Sequence, residues 1–294
     1  MDMPQPKDSS EHPCFNPIAA RQFGRIHLPI APVCNIRCRY CAPFTPCANE
    51  HHPGAAYRVY SLEQALVALE QALAQYSYLR VVGIAGPGDP LANPQTLDFL
   101  SEVGKRWPNL LLCLSTNGLY LPKYVEQLCE AGLTHLTVTI NAVDPAIASR
   151  VVYWVTGEDQ ILTGVKAGQQ LIEAQLSGVA QAVQRGLRVK INSVLIPGVN
   201  STHLPEIART VKELGASLMN VIPLLPKAGF ADLEKPSPAE IAQARKACSA
   251  YMPMMYHCRQ CRADAMGLLT EDLTVERCFA KPNLAPALTI CAGS

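Results

Sequence analysis

The sequence predicts an α/β fold, a six-stranded partial (β/α)6 TIM-like barrel with N- and C-terminal extensions. Strand-like and helix-like segments alternate between residues 25 and 222, six strands fall in that stretch, and polar or glycine-rich residues gather where those strands end. Right-handed crossovers curl a parallel sheet towards a barrel when strand order does not reverse.

Arg25 to Ile30 is apolar enough for a first strand and runs straight into a cysteine loop. Ser61, with Gln64 three residues on, has the pattern of a capping box, and Leu62, Ala65, Leu66, Leu69, Leu73 and Tyr76 follow at helical spacing. Arg80 to Ala85 reads as a buried strand, closed by Gly86-Pro87-Gly88-Asp89-Pro90, where no regular element continues. The unit then repeats: a helix near Pro94 to Arg106, a strand Leu110 to Leu114, a helix Pro122 to Ala131 stopped by Gly132, and a strand Thr134 to Ile140. A longer helical stretch, about Val165 to Arg185, precedes a strand Leu187 to Leu195, a helix Pro205 to Leu214 stopped by Gly215, and a strand Ser217 to Ile222. Beyond Pro223 a proline-rich link, one helix near Pro238 to Tyr251 and a C-x-x-C segment read as an extension closing over the barrel. The expected organisation is 1–23 as N-terminal extension, 24–225 as barrel and 226–294 as C-terminal extension.

A chain of 294 residues buries a sizeable core. Lys and Arg number 25 against 24 Asp and Glu, so there is no general attraction to nucleic acid or an acidic membrane. No apolar run approaches the roughly 18 residues of a membrane span, and Met1 to Glu11 has no signal-peptide core, which makes a cytoplasmic protein the expectation. In that compartment the 12 cysteines are expected as metal ligands or core residues rather than disulfides. Their grouping separates the two readings: Cys34, Cys38 and Cys41 crowd one loop, Cys258 and Cys261 form a C-x-x-C, and the rest are scattered.

The loop Cys34-Asn35-Ile36-Arg37-Cys38-Arg39-Tyr40-Cys41 is a C-x-x-x-C-x-x-C directly after a strand. Three thiolates there can ligate three irons of a [4Fe-4S] cubane and leave the fourth open to chelate a small molecule. Three buried thiols or a zinc site are the blander alternatives. The loop resembles the signature of the radical S-adenosylmethionine (SAM) enzymes, whose open iron binds the amino and carboxylate groups of that cofactor and whose reduction releases a 5′-deoxyadenosyl radical. A partial barrel of the radical SAM type is also the fold the resemblance implies. Gly86, Gly88 and Asp89 stand where the superfamily's glycine-rich strand-end motif would meet the cofactor, and Tyr40 holds the aromatic position between the last two cysteines. Ser115, Asn117, Asn141 and Asn192 at neighbouring strand ends outline the rest of a cofactor site, although each Asn could equally cap a turn or helix.

The resemblance narrows to the NifB family of nitrogenase-cofactor maturases. The motifs that carry it are His12-Pro13-Cys14, Phe23-Gly24-Arg25-Ile26-His27-Leu28-Pro29, Val82-Gly83-Ile84-Ala85-Gly86-Pro87-Gly88-Asp89 and Ser115-Thr116-Asn117-Gly118. They continue with Thr139-Ile140-Asn141-Ala142-Val143-Asp144-Pro145, Asn192-Ser193-Val194-Leu195-Ile196-Pro197-Gly198 and Cys258-Arg259-Gln260-Cys261-Arg262-Ala263-Asp264-Ala265, so that the match runs from about Glu11 to Phe279. It implies three [4Fe-4S] clusters, one that cleaves SAM and two auxiliary ones that are fused with a sulfide and a carbide into an eight-iron precursor of the nitrogenase cofactor. One SAM would give its methyl group to a cluster sulfide, and a second would yield the radical that abstracts hydrogen from it.

Two auxiliary cubanes need further ligands. Alternation along Leu111-Leu112-Cys113-Leu114-Ser115 points Cys113 into the barrel, and Cys14 and Cys47 flank the first strand and loop, so these three are expected on one auxiliary cluster, with core packing the alternative for each. Cys258 and Cys261 pair for the other. His27, matching the family's histidine, is the expected nitrogen ligand, catalytic because imidazole is exchangeable; a hydrogen-bonded core histidine is the alternative. His12 and Glu50 are lesser candidates as ligands or proton carriers, Cys129 and Cys248 read as helix packing residues, and Cys278 and Cys291 stay unassigned.

Between Cys41 and Cys47 the chain has Ala42-Pro43-Phe44-Thr45-Pro46 where the family usually places charged residues. It also ends soon after the C-x-x-C segment, the form expected of a stand-alone maturase that hands its product to a carrier. The resemblance implies iron–sulfur cluster donors, a product carrier or scaffold, an electron donor such as ferredoxin or flavodoxin, and a monomer. Rival readings are another radical SAM enzyme with auxiliary electron-transfer clusters, a passive iron–sulfur scaffold, or a zinc protein.

Overall fold

The structure, a computed structural model, describes residues 9–42, 51–271 and 273–278. Cys47, Glu50 and Cys291, and the segment 43–46, lie outside the described residues.

After two short 3-10 turns come β1 (Gly24–His27) and β2 (Ile36–Cys38), then α1 (Leu62–Gln75), whose capping box is formed as expected between Ser61 and Gln64. The alternating stretch follows as β3 (Leu79–Ile84), α2 (Gln95–Arg106), β4 (Leu111–Thr116), α3 (Leu121–Glu130) and β5 (Leu133–Thr139). Then come α4 (Pro145–Ser149), β6 (Val152–Thr156), β7 (Ile161–Thr163), α5 (Gly164–Gln184), β8 (Arg188–Leu195), α6 (Leu204–Glu213) and β9 (Leu218–Pro223). Next come α7 (Pro238–Ser249), which has its own capping box at Ser237 and Glu240, β10 (Ala265–Gly267) and β11 (Leu273–Thr274).

Six strands, β1-β3-β4-β5-β8-β9, are parallel neighbours in sequence order with no reversal, which is the expected barrel arrangement. Each strand splits its residues between two faces. Val82, Leu114, Leu136, Val138, Val189 and Ile191, all fully buried, belong to the core that the helices cover. The opposite, concave face is polar. Register carries one row across it from His27 through Gly83 and Cys113 to His135, and further rows pair Ser115 with Thr137, Thr137 with Lys190, and Asn192 with Asn220.

Two features depart from the expectation. β2, β6 and β7 form a separate three-stranded antiparallel sheet outside the barrel. The segment after α7 does more than close over the barrel: Met254 bridges Met219 at one edge, and β10 pairs antiparallel with β1 at the other. It thereby ties both free edges of the parallel sheet, whose unpaired backbone groups would otherwise invite association. Among the described residues no helix is long and apolar enough to cross a membrane.

Candidate functional site: a cysteine mouth and an interior chamber

The loop after β1 is pinned from two sides before its cysteines begin. Gly88 N donates to the Ala31 carbonyl (2.6 Å), Asp89 N donates to the Val33 carbonyl (2.9 Å), and the Asn93 amide donates to the same Val33 carbonyl (2.8 Å). Further on, β2 pairs Cys38 with Val152 of the outer sheet. Cys41 N then donates to the Cys38 carbonyl (3.2 Å), turning the chain so that Cys34, Cys38 and Cys41 act electrostatically on one another. Cys34 and Cys41 are exposed and Cys38 is half-buried. Burial, reinforced by Asp89, lifts the Cys34 thiol to about 11, and burial lifts Cys38 higher still. Empty, the triad is protonated, and a bound cluster must displace those protons. Among the described residues no three His, Cys, Asp or Glu side chains converge on one ion.

Several of the expected cofactor residues stand around this mouth. Asn117 donates to the side-chain oxygen of Asn35 (2.6 Å) and weakly to Cys34 Sγ (3.9 Å), while its own oxygen accepts from Leu119 N (2.8 Å), so it is at once a cap and a neighbour of the triad. Asn141 donates to the Tyr40 hydroxyl (3.0 Å) and accepts from Val194 N (2.8 Å). Asn192 accepts from Asn220 (3.1 Å), and Ser115 lies on the concave face.

Two expectations change. Asp89 is turned inward: its carboxylate accepts from the Thr116 hydroxyl (2.9 Å), Asn117 N (2.6 Å) and Leu91 N (2.9 Å), so it braces strand ends instead of facing a ligand. Gly88 serves a close approach of backbones, since a Cβ there would run into the Val33 carbonyl oxygen. Gly86, at φ +130°, abuts Ala263, two residues past Cys261.

The concave face below the mouth is a chamber. The Nδ1–H of His27 donates to the Arg262 carbonyl (3.2 Å), which leaves Nε2 free as a lone-pair donor. Burial and then Arg25 push this imidazole down to about 4, so it is neutral, as a metal ligand must be. Arg25 donates to Cys261 Sγ (3.3 Å) while its other amino group holds the Leu268 carbonyl (2.9 Å). The His257 ring donates to the Pro13 carbonyl (2.9 Å), which brings the neighbours Cys258 and Cys14 together. Burial raises the Cys14 thiol, with Cys258 and Cys261 adding to the effect; burial, with Cys14 beside it, raises Cys113 to about 12. The two expected ligand sets thus meet: Cys14 and Cys113 share one interior space with Cys258, Cys261 and His27. Cys248 is core and Cys129 packs against it, as expected.

The sequence reading missed three residues here. Lys190 is only 6% exposed and faces the chamber from β8; the signal was a lysine between Val189 and Ile191, on the same side of the strand as Asn192. Arg25 is buried two residues before His27 and points at Cys261. His135 lies in register with Cys113, its ring 4.4 Å from that of His12, and Ser9 meets its Nε2 at 3.0 Å. His12, named only as a lesser candidate, is buried with its Nδ1 accepting from Cys14 N (3.1 Å) and its Nε2 unpartnered among the described residues.

The radical SAM superfamily profile matches residues 28–211, and the chain belongs to that superfamily. The crystal structure of Streptococcus suis SuiB bound to S-adenosylmethionine superposes with a TM-score of 0.57 at 15% identity, over 79% of this chain and 50% of that one. A radical SAM methyltransferase from Sphaerobacter thermophilus gives 0.51 at 21% identity, over 79% and 64%. At such identities these structures show the fold alone. Among curated relatives, the FeMo cofactor biosynthesis protein NifB of Azotobacter vinelandii is 44% identical over 268 residues, 89% of this chain and 53% of that protein. Its counterpart in Chlorobaculum tepidum is 41% identical, over 88% and 62%, and that of Methanocaldococcus jannaschii 40% identical, over 92% and 91%. Within the superfamily, the chain belongs to the NifB family. It spans between half and two thirds of the length of the first two relatives and nine tenths of the third.

Proposed function

We propose that the chain is a radical SAM maturase that fuses two [4Fe-4S] clusters, bound as substrates, with a SAM-derived carbide and a sulfide into the eight-iron precursor of the nitrogenase cofactor. The observation that carries this reading is the pair of thiol groups on one barrel: an exposed triad at the mouth, and an interior chamber holding four cysteines and a neutral histidine. A cluster on Cys34, Cys38 and Cys41 would supply the reductive cleavage of SAM. The chain's own residues do the rest. Tyr40, Asn117, Asn141 and Asn192 order the mouth, and Ser115, Gly86 and Gly88 shape the space beside it, with Asp89 bracing that edge. Cys14 and Cys113, with Cys47, would hold one substrate cluster, and Cys258, Cys261 and His27 the other. His27 offers a nitrogen that is more readily exchanged than a thiolate, which suits a cluster that must be rebuilt. An electron donor such as ferredoxin or flavodoxin, cluster donors and a product carrier are the partners this chemistry needs.

Anaerobic reconstitution with iron and sulfide, followed by incubation with ¹³C-methyl-labelled SAM, tests it. The expected result is about twelve irons per chain, four for each cubane, formation of both S-adenosylhomocysteine and 5′-deoxyadenosine, and the label retained in an extractable cluster. Formation of 5′-deoxyadenosine alone, with the auxiliary clusters unchanged, would assign them to electron transfer and overturn the proposal.

A further inference from the structure

The chamber contains a buried cation that no carboxylate among the described residues answers. Lys190 sits third in β8, 6% exposed, with Thr137 and Leu218 as its cross-strand neighbours. Its ammonium lies 5.6 Å from the ring centroid of Phe15, the residue after Cys14. Among the described residues it has no ion pair with Asp or Glu, and the titratable side chains that act most strongly on it are the thiols of Cys14, Cys258, Cys113 and Cys261. Arg25 adds a second buried cation, directed at Cys261.

A desolvated ammonium is costly unless an anion meets it, and an aromatic face compensates only in part. The charge arrangement is therefore incomplete without something negative between the two cysteine pairs. Iron–sulfur cubanes carrying thiolates are anions, and two of them brought together in a low-dielectric interior repel each other strongly. A cation on the face they share offsets that repulsion.

We propose that Lys190 is the counter-cation of the two substrate clusters, a binding residue that lets both anions occupy one chamber. The inference rests on the function proposed above and adds to it the residue that makes the apposition of two like-charged substrates feasible. A hydrogen-bonding or purely steric role would not need the charge, whereas this role needs the charge and tolerates a change in its shape.

The test compares Lys190→Met and Lys190→Arg with the parent chain, each purified without metal and then reconstituted anaerobically with iron and sulfide. Three quantities are read: melting temperature before reconstitution, iron bound per chain, and the midpoint potentials of the auxiliary clusters. Lys190→Met should melt at the same or a higher temperature when empty, because a buried charge has gone. It should nevertheless load the second auxiliary cluster at least tenfold more weakly, and any auxiliary cluster that remains should have a more negative potential. Lys190→Arg should restore loading and potential. A methionine variant that loads iron with the parent's affinity and potentials overturns the proposal. So does one that melts lower when empty and is not rescued by arginine, since that is the pattern of a structural residue. Lys190-dependent loading in a parent that forms no carbide product would overturn the proposed function and leave the counter-cation standing. A parent that loads no auxiliary iron overturns both.

Discussion

His27 is held by one hydrogen bond to the Arg262 carbonyl, so the same backbone that follows the C-x-x-C sets the direction of the ring. His27→Ala should lose one auxiliary cluster's spectrum and product formation while the triad's cluster remains. His27→Cys should restore the iron but not the rate. A cysteine variant that assembles product as fast as the parent would remove the case for a nitrogen ligand. Asp89 makes a different kind of prediction. Burial raises its carboxyl from the ordinary 3.8 to about 6, against the opposing pull of its hydrogen bonds from Asn117, Thr116 and Leu91. The folded chain therefore keeps this proton where the unfolded chain has released it. The resulting stability is fully present below about pH 4 and is lost as pH rises towards about 6. Asp89→Asn cannot titrate, so denaturant titrations across that window should show a decline in the parent that the variant lacks; identical slopes would contradict the assignment. The variant should also be about 2 kcal/mol less stable, because an amide cannot accept all the donors that converge on the carboxylate.

Among the elements, the glycine motif and the cysteine loop act as one unit. Gly88→Ala would push a Cβ into the Val33 backbone, next to Cys34, with no flexible side chain to yield. The expected cost is about 3 kcal/mol, and cluster loading on the triad should fall together with SAM binding. Loss of SAM binding with triad iron intact would mean that the glycine serves the cofactor directly. The helices and parallel strands were legible because their signals are local: Ser61 and Gln64 cap α1 as their spacing says, and the apolar face of each barrel strand repeats every second residue. The outer sheet was not. β2 has three residues and finds its partner, β6, more than a hundred residues later, so nothing near Cys38 announces a strand. The same limit applied to the site. The triad's spacing is a local pattern, and so is the C-x-x-C. Lys190 gains its meaning only when β8 joins the concave face that Cys113 shares from β4 and the N-terminal extension brings Cys14, and no segment of the sequence contains both events.

The molecule is closed by the segment that carries Cys258 and Cys261, and its hold on the barrel is polar as well as apolar. Asp264 accepts from Arg262 (2.8 and 3.0 Å) and from Tyr57 N (2.7 Å), Ala263 N donates to the Ala55 carbonyl (2.8 Å), and β10 completes the attachment along β1. The Arg262–Asp264 pair is almost fully buried, at 4% and 1% side-chain exposure. Removing one member of such a pair leaves an uncompensated charge and costs about 3–5 kcal/mol, far more than severing an exposed ion pair such as Arg185 with Glu126. Because most of the core lies between the barrel's helices and the other face of the sheet, with only Met252, Met266 and Val275 joining it from the strap, the damage should stay in the strap. Asp264→Asn should open new protease sites between α7 and β10 and leave the alternating β/α region protected. It should also lower auxiliary iron more than triad iron, because the chamber loses the thiols and the Arg262 carbonyl that positions His27, whereas the triad is held by the loop after β1, the ends of β3 and β4 and the outer sheet. Proteolysis mapped by mass spectrometry, alongside iron counts on the same samples, decides the matter. Cleavage spread evenly over the chain, or triad and auxiliary iron lost in equal proportion, would show that strap and barrel unfold as a single unit and that the chamber has no independent closure.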